Sequence, residues 1–210
     1  MKVTAIPAFR DNYVWAIHDD RSALLVDPGE AAPILTWLAA RHLTPVGILV
    51  THHHADHVGG IPEITARHAV PVYGPAHERI PGRTHPLLGG ETLAIAPLDL
   101  AFQVLASPGH TLGHLCYFGH GGLFCGDTLF SCGCGRLFEC TPAQMHASLG
   151  RIWALSPDTL VYCAHEYTLE NLAFALEVEP DNAALQARLA EASTMRERGQ
   201  PTLPVELGTE

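Results

Sequence analysis

The sequence predicts an α/β fold, on three observations. Short apolar runs alternate with stretches of helical period, the runs are long enough only for strands, and five of them end on an aspartate or histidine. The runs are "ALLVD" ending at Asp27, "GILVTH" at His52, "FQVLASPGH" at His110, "GLFCGD" at Asp127 and "LVYCAH" at His165. Continuous apolar segments bounded by Gly, Pro or Asp read as strands buried on both faces. Strands alternating with helices imply layered packing, in which ligands sit beyond strand ends. The five polar residues fall there.

The elements between them follow in order. "EAAPILTWLAARHL" sets Ile34, Leu35, Leu38 and Leu43 near one helical face. "TPAQMHASLGRIWAL" does the same with Met145, Leu149, Ile152 and Leu155, and Thr141 followed by Pro142 reads as an N-cap with proline in the first turn. From Thr168 the chain is helical in period, breaks at Pro180 and restarts with Asp181 and Asn182 as caps. "QPTLPVELGTE" is expected to add no further element.

The 210 residues suffice for one large domain, or for one domain with a small appendage, and 47% hydrophobic residues supply a sizeable core. A formal charge of −10 argues against nucleic acid, whose binding rests on Lys and Arg neutralising phosphates. The N-terminus lacks the apolar core of a signal peptide, and no segment reaches a membrane-spanning length, so no membrane partner is expected. The six cysteines form no Cys-x-x-Cys pair and are read as reduced thiols, which places the protein in the cytoplasm.

"THHHADHVGG", Thr51 to Gly60, carries the chemistry. It sets four histidines and an aspartate within six positions; the imidazoles would repel one another if protonated, and a single tetrahedral ion cannot use all five side chains. Residues two apart in an extended segment point the same way, so His52 and His54 converge while His53 faces elsewhere. Asp56 and His57 lie a further turn on and suit a second ion. Gly59 and Gly60 are expected to permit a sharp turn. His110 and His165 supply the remaining imidazoles, and Asp127 has two oxygens with which to bridge. His52, His54, His110 and Asp127 then form one set; Asp56, His57, His165 and Asp127 form the other. Two ions ~3.5–4 Å apart leave room for a bridging hydroxide. His114, four residues after His110 in "HTLGH", lacks the glutamate of a zincin helix and is not expected to ligate. Asp27 either fixes a histidine tautomer or merely closes a strand-end turn.

Assembled in this way, the chain resembles the metallo-β-lactamase superfamily, and within it the glyoxalase II (hydroxyacylglutathione hydrolase) family. The broader likeness rests on His-x-His-x-Asp-His, here His52 to His57. The narrower one rests on "DNYVW", "VDPG", "SPGHTLGHLCYF", "GDTLFSCGCGRLFE" and "HEYTLENLAFALEVEP". The resemblance implies an αββα sandwich over residues 1–166, followed by a C-terminal helical segment, 167–210, shortened relative to the family. It implies two divalent ions, zinc first with iron or manganese as alternatives, acting on a small glutathione thioester in a monomer. The products are D-lactate and glutathione. Asp56 and Asp127 become catalytic as well as ligating residues, and Arg136, Phe138 and Tyr167 become substrate contacts. Phe138 stands where many relatives carry tyrosine, which removes one hydroxyl, and Cys140 stands where glycine is common. Two rival readings share the motif. One is a glutathione persulfide dioxygenase using one iron on His52, His110 and Asp127; the other is a metal-binding relative that has lost its affinity for glutathione.

Overall fold

A computed structural model describes all 210 residues. The chain opens with the antiparallel hairpin β1 (Lys2–Ala8) and β2 (Asn12–His18), continued by β3 (Ser22–Val26). Helix α1 (Ala31–Arg41) then crosses over to the parallel strand β4 (Thr44–Leu49). Short helices α2 (Ala55–Val58) and α3 (Ile61–Arg67) lead to β5 (Val72–Pro75) and β6 (His85–Leu87), which complete a six-stranded sheet in the order β1 to β6.

The second sheet begins with β7 (Thr92–Ile95), β8 (Leu100–Ala106), β9 (Leu115–Gly119) and β10 (Gly122–Gly126), antiparallel throughout. A small hairpin follows, β11 (Leu129–Phe130) with β12 (Gly133–Cys134). Helix α4 (Pro142–Trp153) returns the chain to β13 (Leu160–Cys163), parallel to β10. Helices α5 (Thr168–Val178) and α6 (Ala183–Glu197) follow, with Asn182 Oδ1 capping α6 through the N–H groups of Ala184 and Leu185.

β2 shows why the sandwich is layered as it is. All seven of its residues are buried, and alternate side chains enter different cores. Tyr13, Trp15 and Ile17 join Phe102, Val104, Tyr117 and Leu123 between the sheets. Val14 and Ala16 join Ile34, Leu38, Ile61 and Ile64 beneath α1 and α3. A strand with two buried faces needs a layer on each side. The expected face of α1 holds at Ile34 and Leu38, with Leu35 only half-buried and Trp37 added.

One expectation fails. Val205–Glu206 form a short strand, β14, antiparallel to β13, and Leu203, Val205 and Leu207 are buried. The end of the chain therefore satisfies the open edge of β13, whose backbone groups would otherwise lie unpaired. A two-residue strand has no periodicity from which it could be read.

Candidate metal centre

The strand-end residues converge along one edge of the sandwich. His52 follows β4 by three positions and is wholly buried; His54 caps the single turn of α2, which carries Asp56 and His57 round to the far side. His110 lies in the loop after β8, Asp127 directly after β10, and His165 two residues after β13.

The nitrogens of the first group touch. His54 Nδ1 lies 3.0 Å from His52 Nε2 and 2.9 Å from His110 Nε2. Asp127 Oδ2 is 3.3 Å from His110 Nε2, while its Oδ1 is 3.4 Å from both His57 Nε2 and His165 Nε2. Asp56 Oδ2 completes the second group at 3.5 Å from His57 and 3.4 Å from His165. The two oxygens of Asp127 thus face different neighbours, Oδ2 toward His110 and Oδ1 toward His57 and His165.

These residues fit cations. His54 Nδ1 has one proton or one lone pair and cannot satisfy two neighbouring nitrogens at hydrogen-bond distance, whereas three lone pairs around an ion can all be used. Asp127 Oδ1 and both ring nitrogens of His57 are buried without a hydrogen bond. An orphaned polar atom of this kind calls for a missing partner. Burial holds His52, His54 and His110 below the ordinary imidazole range, in the neutral form that ligates. Burial also opposes charge on Asp127, but the facing His57 and the contacts with His165 outweigh it and bring the carboxyl to about 2. Asp56 is likewise lowered against its burial, first by its contact with His165 and then by the charge of His57 and the Asn12 amide. Burial works against a proton on His165, yet Asp127, Asp56 and Asp11 push it up to about 10.

The outward nitrogens are anchored. Asp27 accepts hydrogen bonds from Thr51 N–H and Oγ1–H, both at 2.7 Å, and its Oδ2 lies 3.1 Å from His57 Nδ1, off the axis of a hydrogen bond. It also turns the chain after β3 with a φ of 52°, so it fills the strand-end role, while its hydrogen bonds go to Thr51 and not to His57. His110 Nδ1 pairs with the Arg136 carbonyl at 2.7 Å and His165 Nδ1 with Asp11 Oδ1 at 3.0 Å. Asn12 Nδ2 donates to Asp56 Oδ2 at 3.0 Å. His114 is no member of either cluster; its Nε2 accepts the Asp127 N–H at 3.2 Å. His53 points away to Glu78, at 2.9 Å.

Asp11, Asn12 and Glu78 are positioned here without having been singled out one by one in the sequence; "DNYVW" marked only a likeness. The glycine expectation also needs correcting. Gly59 and Gly60 have ordinary helical φ, −60° and −80°. A Cβ on either would come within 2.7 Å of the Gly29 or Pro28 carbonyl oxygen, so they permit close approach to the loop after β3 rather than a sharp turn.

A cleft of about 670 Å³ opens over the cluster, with Arg136, Phe138 and Tyr167 on its walls. Phe138 is 59% exposed and sits edge-on to His54 and His110, with ring centroids 5.5 and 5.2 Å away. Tyr167 stacks on His165 at 4.7 Å, and burial, then nearby acids, push its phenol up to about 12. Cys140 packs its sulfur 3.7 Å from the Thr111 carbonyl oxygen.

A layered fold with paired His/Asp clusters at one edge defines the metallo-β-lactamase superfamily, whose family model matches residues 8–165. A second model, described as the hydroxyacylglutathione hydrolase C-terminus, matches residues 166–210. The hydroxyacylglutathione hydrolase of Nitrosomonas eutropha is 52% identical over 99% of this chain and 82% of its own length; that of Dechloromonas aromatica is 55% identical over 100% and 78%. Among solved structures, ETHE1 from Myxococcus xanthus superimposes with a TM-score of 0.72 at 30% identity, covering 80% of this chain and 76% of its own. The BLEG-1 B3 metallo-β-lactamase gives 0.69 at 30% identity, over 78% and 91%. The chain belongs to the hydroxyacylglutathione hydrolase family.

Proposed function

We infer that the protein is a hydroxyacylglutathione hydrolase that cleaves the thioester of S-D-lactoylglutathione to D-lactate and glutathione. The observation that carries this reading is the split of Asp127, with one oxygen toward each ligand cluster. His52, His54, His110 and Asp127 would hold one divalent ion, and Asp56, His57, His165 and Asp127 the other. Nitrogen and carboxylate donors suit zinc first, with iron and manganese as alternatives. When bound, such ions supply Lewis acidity that lowers the pKa of water and polarises a carbonyl.

The chain's own residues do the rest. Asp56 stays charged and is fixed by Asn12, so it can orient a water by accepting its hydrogen bond. Arg136 stands at the mouth of the cleft, where its guanidinium can pair with a substrate carboxylate. The high phenol pKa of Tyr167 keeps its hydroxyl a hydrogen-bond donor, while Phe138 offers an apolar wall in place of a hydroxyl. The departing thiol has a free pKa of about 8.5, so it leaves as thiolate without a dedicated acid. The complete Asp56–His57–His165 cluster favours two ions over the single-iron dioxygenase.

We further take residues 1–166 as the catalytic domain and 167–210 as its C-terminal helical segment, acting as a monomer in the cytoplasm. The change of family model between residues 165 and 166 supports the division, and six free thiols support the cytoplasmic setting. No helix is long and apolar enough to cross a membrane. Loss of thioester absorbance with S-D-lactoylglutathione, with metal analysis of the same sample, tests the reading. Turnover with two ions per chain is expected; one iron per chain and oxygen uptake on glutathione persulfide would overturn it. Arg136→Ala is expected to raise KM roughly 10–100-fold with kcat little changed, from the loss of a charged hydrogen bond; a fall in kcat alone would remove it as an anchor.

A further inference from the structure

Glu78 belongs to neither cluster, yet its carboxylate is almost wholly withdrawn from solvent, with a side-chain exposure of 5%. A buried carboxylate needs partners on both oxygens, and Glu78 finds them on two loops distant in sequence. Oε2 meets His53 Nδ1 at 2.9 Å. Oε1 accepts from Thr111 Oγ1–H at 2.5 Å and from Gly113 N–H at 3.0 Å. The close approach is built in, because a Cβ on Gly113 would fall 2.8 Å from Glu78 Cγ. The Glu78 loop is itself tied down: Arg83 Nη1 donates to the carbonyls of Pro75 and Glu78.

The two loops are those that bear the three-imidazole cluster. His53 lies between His52 and His54, and Thr111 follows His110. His54 and His110 are 56 residues apart and meet at 2.9 Å, so something outside their own loops has to fix that spacing. The other cluster has separate braces in Asp11 on His165 and Asn12 on Asp56. We propose that Glu78, acting through His53 and Thr111, is a positioning residue that sets the His54–His110 separation and so governs metal affinity at that cluster alone. This rests on the binuclear reading above.

Titration of the full chain with Zn²⁺ against a competing chelator, and with Co²⁺ read by its visible spectrum, tests it. Wild type is expected to bind two ions. Glu78→Ala is expected to bind one of them about 10–100-fold more weakly, the range for losing a residue that orients a ligand, and the other unchanged. Its Co²⁺ spectrum at one equivalent should match that of His54→Ala. Glu78→Gln, whose amide can still accept from Thr111 and donate to His53, should restore most of the affinity. Unchanged affinity at both sites, or equal weakening of both, overturns the proposal. Wild type binding fewer than two ions would instead overturn the binuclear reading. Where Glu78→Ala does not fold by circular dichroism, His53→Ala decides by the same one-site criterion, because it leaves Glu78 its contacts with Thr111 and Gly113.

Discussion

Asp127 holds its place because the backbone before it is unusual. Gly126 has a φ of 49°, and a Cβ there would lie 2.3 Å from Thr51 Oγ1, so only glycine lets β10 end with the carboxylate turned into the cluster. Asp127→Ala is expected to remove measurable turnover and to lower metal content at both clusters; two tightly held ions in the variant would contradict the bridging role. His114, behind it, makes a pH prediction. Burial pushes its imidazole down to about 3, below the ordinary 6.5. The unfolded chain therefore takes up the proton first, and the stability this neutral ring contributes is full above pH 6.5 and lost as the pH falls toward 3. Between pH 7.5 and 5.5 the cost is about 1.4 kcal/mol. Urea unfolding should show wild type losing about that much more than His114→Gln over this interval; equal losses would mean that the ring is not held neutral. At this scale the sequence was readable where ligands cluster, as in His52 to His57. Asp11 and Asn12 act on partners 154 and 44 residues away, and no local pattern marks such pairs.

Helix α4 shows what an element reveals and what it conceals. Its start was legible, and the structure carries a full capping box: Thr141 Oγ1 accepts the Gln144 N–H, and Gln144 Oε1 accepts the Thr141 N–H, ahead of Pro142. What α4 does for the site was not legible. Ser148 donates to the Pro108 carbonyl at 2.8 Å and Arg151 to that of Ala106 at 2.8 Å, so the helix buttresses the loop that presents His110. Thr141→Ala should cost about 1 kcal/mol of unfolding free energy while leaving metal stoichiometry at its wild-type value. A change in stoichiometry would mean that the cap sets the loop's geometry and not merely the helix's stability. β14 is the counterexample, since its two residues are a strand only because β13 offers an edge. Patterns of period 2 or 3.6 need several residues to appear, and pairing at a sheet edge needs none.

For the molecule as a whole, the clusters sit where the two sheets meet. His52 to His57 extend from β4 of the first sheet; His110, Asp127 and His165 extend from β8, β10 and β13 of the second. Ions bound there join the halves as well as the ligands, and they bind the folded chain alone. Mass action then adds stability as RT ln(1 + [L]/Kd), about 4.1 kcal/mol at a thousandfold excess over Kd. For a chain of this length each kcal/mol is worth roughly 2–4 °C in Tm. Removing the ions with chelator should therefore lower Tm by on the order of 10 °C, and restoring Zn²⁺ should recover it. The apolar cores beneath α1 and between the sheets remain without metal, so the metal-free chain should still melt in one cooperative step. Melting within about 2 °C of the loaded protein would mean that the packing of the sheets alone fixes the edge, with the seven side chains adding no stability through the ions they share.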